Sequence, residues 1–124
     1  MKLAASIVAA ALAAPAMAGA KIVDLAFPAD GRFDYAESIP AGKFVEVCGK
    51  FEQGQRVDWS FQAAAPLDFN IHYHVGDKVE FPEKRSAIGS LEGAFVAPVA
   101  QHYCWMWKNT GKSDVKVATS FAKR

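Results

Sequence analysis

"PLDFNIHYHVGDKVEF", residues 66–81, alternates apolar and polar side chains and then turns back on itself. Phe69, Ile71, Tyr73 and Val75 fall on one face, and Asp68, Asn70, His72 and His74 on the other. A period of two marks a half-buried β-strand, because successive side chains point to opposite faces of a sheet. Gly76-Asp77-Lys78 then brings turn chemistry ahead of Val79-Glu80-Phe81, so the stretch reads as a β-hairpin.

The same alternation recurs on both sides. "KFVEVCGKF" (43–51) sets Phe44, Glu46 and Cys48 against Val45 and Val47, and "QRVDWSF" (55–61) sets Val57, Trp59 and Phe61 against Arg56, Asp58 and Ser60. "GAFVAPV" (93–99), "HYCWMW" (102–107) and "DVKVATSF" (114–121) add strands, with "KNTGK" (108–112) as a turn. "KIVDLAF" (21–27) adds an edge strand, and residues 28–42, rich in Pro, Gly and Asp, read as the long loop. With no helical periodicity beyond a turn or two, the expected fold is an all-β antiparallel β-sandwich of seven to eight strands.

The chain begins "MKLAASIVAAALAAPAMAGA", with one lysine, an apolar run from Leu3 to Ala14, Pro15 and the small-x-small triplet Ala16-Met17-Ala18. This is the pattern of a secretory signal peptide over 1–18, cleaved after Ala18 or alternatively after Ala20, and its run is too short and Ala-rich for a membrane span. A single domain over 19–124, periplasmic or secreted and not integral to the membrane, is the expectation. Lys2 leaves with the leader, one of 14 basic residues against 13 acidic, so the remaining chain is balanced. It therefore carries no electrostatic footprint for nucleic acid. Cys48 and Cys104 are the two cysteines, and in an oxidising compartment a disulfide is their default state.

With its cysteines on strands, the stretch from 43 to 121 resembles the GOLD domain. The resemblance lies in Cys48 and Cys104, Gly76 and Asp77 at the hairpin, the Gly93-x-Phe95 strand, and Asn109 after the second cysteine. It implies a sandwich with a Cys48–Cys104 bridge, acting as a non-catalytic binding module for a protein or lipid partner. The histidines are not a general feature of that family.

All three histidines fall on two strands, His72 and His74 on one and His102 on the other. On the second strand Tyr103, Trp105 and Trp107 share a face, which leaves His102, Cys104 and Met106 on the opposite one. Residues i and i+2 stand roughly 6.5–7 Å apart on a strand, so His72 and His74 can converge on one ion. If the two strands are neighbours, His102 and Met106 complete the set. Three imidazoles suit zinc, copper or nickel, and a thioether shifts the preference toward Cu(I). Copper is ranked first and zinc second.

Other readings bound this one. A His-x-His on a strand is also what a solvated sheet face looks like, and Met106 equally fits a packing role. A blue-copper site is disfavoured because no histidine follows Cys104, and a bridged Cys104 is no thiolate ligand. No nucleophile elbow, zinc-protease helix or phosphate loop is present, although Asp68 or Asp77 could orient a histidine. The chain reads as an exported metal-binding protein for copper storage, delivery or resistance, through His72, His74, His102 and Met106, rather than as a catalyst. A metal ion is the first expected partner and a protein the second.

Overall fold

The computed structural model of the chain describes residues 20–124, so the expected leader over 1–18 and its cleavage point lie outside the described residues. Among the described residues, no helix is long and apolar enough to cross a membrane. The alternating segments form β1 (Ala20–Asp24), β2 (Arg32–Ile39), β3 (Phe44–Phe51), β4 (Arg56–Val75), β5 (Lys78–Val96), β6 (Gln101–Lys108) and β7 (Val115–Lys123).

β4 organises the sheet. Its first half pairs with β7 and β5, and its second half with β6 and β5, giving the order β1-β3-β6-β4-β7-β2 with β5 on the other side of β4. The sequence reads "QRVDWSF" and "PLDFNIHYHV" as separate strands, but the chain runs through Ala63–Ala65 without a turn. Pro66 offers no amide hydrogen, and the β4–β5 register shifts between Gln62 and Leu67 around it.

Two corrections to the expected sandwich follow. Because β4 and β5 run through both halves, the strands form one sheet curled into a half-barrel rather than two separate sheets. The sheet is also mixed: β1 pairs parallel to β3, from Ala20 opposite Phe44 to Asp24 opposite Cys48. A parallel neighbour needs a crossover connection, and β2 supplies it from the far edge, inside the segment expected to be a loop. The curl brings β1 and β2 within side-chain reach. Lys21 Nζ lies 3.2 Å from Glu37 Oε1, which also accepts the Tyr35 hydroxyl at 2.8 Å.

The inner face is aromatic. Trp105, Trp107, Tyr103, Phe51, Phe69 and Phe121 are fully buried, and Trp105 meets Phe121 edge-on at 5.1 Å between ring centroids. Gly93 faces Trp59 across the β4–β5 pair, and a Cβ there would come within 2.8 Å of the indole. With the rings of β3, β4 and β6 turned inward, the alternate residues of those strands share the outer face.

Candidate metal-binding face

Whether the two histidine-bearing strands are neighbours is settled by the register: β4 and β6 pair antiparallel, with His72 opposite Cys104. β3 lies on the other side of β6, with Cys48 opposite Cys104. The outer face is thus built in cross-strand rows. Glu46, Met106 and Asn70 form one row, Cys48, Cys104 and His72 the next, and Lys50 and His102 a third, with His74 the next outward residue on β4.

Cys48 and Cys104 form the expected disulfide, their Cα atoms 4.0 Å apart and 56 residues apart in sequence. Closing a loop of that length stabilises the fold by roughly 4 kcal/mol in the chain-entropy picture. In this form Cys104 is not a thiolate ligand.

His72 is the buried member, its side chain 8% exposed. Asn70 donates its amide to Met106 Sδ at 3.7 Å, which turns Oδ1 toward the imidazole, 2.7 Å from Nδ1. Nδ1 therefore carries the proton that Asn70 accepts, and Nε2 is left facing Glu46 Oε1 at 3.3 Å. An imidazole lone pair and a carboxylate oxygen are both acceptors, so the gap between them calls for a positive centre. A second proton on the ring supplies one, and a metal ion another. Holding the far ring nitrogen by a hydrogen bond is also how proteins fix metal-bound histidines.

Of the residues expected from sequence, His72 stands at the centre. His74 is exposed beside it, the two rings edge-on at 5.3 Å, and Phe81 approaches the His72 ring at 6.0 Å. His102 is exposed on β6, and Met106 reaches the site through Asn70. Among the described residues, the set of three His, Cys or acidic donors whose ligand atoms lie within 4.8 Å of one another is Glu46, His72 and Cys104, without His74 or His102. Glu46 was missed, although its signal was present: a lone acid between valines, on the face that also carries Cys48. Asp68 does not orient a histidine; it accepts the Ala87 amide hydrogen at 3.0 Å.

No protein-family model matches the chain, and no curated protein matches it in sequence. Solved structures match it in fold. PliG of Aeromonas hydrophila, a periplasmic inhibitor of g-type lysozyme, aligns over 86% of this chain and 98% of its own at 13% identity, with a TM-score of 0.65. PliG of Salmonella Typhimurium aligns over 84% and 98% at 16% identity, with a TM-score of 0.62. CorA, a surface-associated copper-binding protein of Methylomicrobium album BG8, aligns over 86% and 100% at 8% identity, with a TM-score of 0.57. At these identities the likeness is one of fold.

Proposed function

We propose that the protein is an exported metal-binding protein, with copper the preferred ion and zinc the second, held on the outer face of β3, β6 and β4. The observation that carries this reading is the close approach of His72 Nε2 and Glu46 Oε1, 3.3 Å apart on the buried part of that face, with the imidazole locked from behind by Asn70. His72 is the anchor. His74 and His102 are exposed, so their rings can turn toward the same ion, while Met106 holds Asn70 in place or adds its thioether for Cu(I). That CorA, a copper-binding protein, shares the fold supports the choice of copper.

The test is titration of the disulfide form, purified without chelator or histidine tag, with Cu(I), Cu(II) and Zn(II). One ion should bind tighter than about micromolar, and His72→Ala with His74→Ala should weaken it at least tenfold. Binding unchanged in that variant refutes the reading.

A second reading, a non-catalytic module for a protein partner of the kind the GOLD resemblance implies, draws on two observations. The PliG proteins of the same fold inhibit a lysozyme, and Val75, Val79 and Phe81 expose apolar surface around the β4–β5 turn. A g-type lysozyme inhibition assay separates the readings: inhibition abolished by Phe81→Asp favours this one, and none at micromolar protein counts against it.

A further inference from the structure

The disulfide sits inside the donor set rather than beside it. Glu46 Oε1 is 3.3 Å from His72 Nε2 and 3.8 Å from Cys48 Sγ, and Cys104 Sγ lies within 4.8 Å of both Glu46 and His72. Bond lengths of about 2.0–2.3 Å to nitrogen, oxygen and sulfur put the ligand atoms of a tetrahedral site roughly 3.3–3.8 Å apart. Two edges of such a tetrahedron are already at that length; on reduction the bonded sulfurs must part, and Cys48 Sγ, which lies more than 4.8 Å from the His72 donor, must close on it by a side-chain rotation.

We infer that the Cys48–Cys104 disulfide is a redox gate on a four-donor metal site made of Cys48, Cys104, His72 and Glu46. The inference rests on reading His72 as a metal-facing ligand, and it adds a second state to that face. In the oxidised state the histidines and Glu46 offer nitrogen and oxygen donors. A dithiol reductant passes two electrons and two protons to the S–S bond and is itself oxidised to a disulfide, leaving two thiols on neighbouring strands. Each thiol gives up its proton as its sulfur binds the ion, so two protons are released per ion taken up. The reduced set is soft and closed, suited to Zn(II) and Cu(I); a disulfide oxidant that takes the two electrons, and is itself reduced to a dithiol with two protons from solvent, remakes the Cys48–Cys104 bond, removes both thiolates and releases the ion. The backbone need move little, because β3 and β6 stay paired on both sides of the cysteines, from Phe44 opposite Lys108 to Phe51 opposite Gln101.

The test uses Co(II), whose spectrum reports sulfur ligation, added without oxygen to protein reduced by a trialkylphosphine, which leaves no competing thiol. One equivalent should give a sulfur-to-cobalt charge-transfer band and tetrahedral visible bands, both missing from the disulfide form. Zn(II) should bind the reduced form at least about a hundredfold tighter than the oxidised one. Cys48→Ser with Cys104→Ser should abolish the charge-transfer band, and His72→Ala should keep it while losing the tetrahedral bands. No charge-transfer band in the reduced protein, equal Zn(II) affinity in both states, or a His72→Ala spectrum identical to the wild type overturns the inference. So does loss of the β-sheet circular dichroism on reduction. Copper titration of the disulfide form reads the histidine reading alone, so the two can fail separately.

Discussion

Asn70 decides which nitrogen of His72 is available. Its amide is pinned by Met106 Sδ and its oxygen by the imidazole Nδ1. Outer-shell partners of this kind typically account for 10–100-fold in metal affinity. Asn70→Ala is expected to weaken copper or zinc binding by about that factor with the fold intact, measured by competition titration beside a thermal melt. Gly93 is a residue whose identity is steric: any Cβ would enter the Trp59 indole. Gly93→Ala should cost about 1–3 kcal/mol, read as a lower midpoint in urea with an unchanged slope. Both residues show where legibility ends. The Gly93-x-Phe95 pattern and the polar face carrying Asn70 and His72 are visible in the sequence, but what each residue meets depends on cross-strand register. Glu46 escaped notice for the same reason, since its partner His72 lies two strands away.

At the scale of elements, the alternation in β3, β4 and β6 was legible because one face of each strand is uniformly apolar. β2 was not. Its inward residues are Phe33, Tyr35, Glu37 and Ile39, so an acid interrupts the apolar face, and Pro28, Gly31, Pro40 and Gly42 flank it with turn signals. The parallel pairing of β1 was equally hidden, being set by the crossover through β2. β5 carries its own irregularity: Ala87 has φ +51° where the register with β4 shifts between Leu67 and Phe69, and Asp68 accepts its amide hydrogen. A side chain in the left-handed region costs roughly 1–2 kcal/mol relative to glycine. Ala87→Gly should therefore stabilise the protein, by up to about 1 kcal/mol once the added freedom of the unfolded chain is offset. Asp68→Ala should destabilise it, and urea unfolding of both variants checks the pair.

Over the whole molecule, the curl is fastened where the edge strands meet. The Tyr35 hydroxyl and then Lys21 hold Glu37 below the ordinary carboxylate range, against the effect of its partial burial. The hydrogen bond to Glu37 foremost raises Lys21 above its ordinary 10.5. A lowered carboxylate contributes stability above its unfolded value and loses it as pH falls through the folded one. A raised lysine contributes below its unfolded value and loses it as pH rises through the folded one. The contact therefore operates from mildly acidic to moderately alkaline pH and fades at both ends. Lys21 is exposed, so the effect is small and salt-sensitive. The melting-temperature gap between wild type and Glu37→Gln should be widest near neutrality, shrink below about pH 4.5, and narrow in high salt.

The position of β4 between partners on both sides has a consequence for exchange with solvent water. It pairs with β5 from Arg56 to Gln62 and, with register shifts, from Leu67 to Val75, and on its other side with β7 from Val57 to Ala63 and with β6 from Asp68 to His72. Its amides should be among the slowest in the molecule to exchange for deuterium, opening only when the whole sheet does. His72 is carried on that strand. On the proposed metal reading, the His72 ring is opened to an ion by a swing of the neighbouring Phe81 or His74 ring, a side-chain event many orders of magnitude faster than any opening of the strand that holds it.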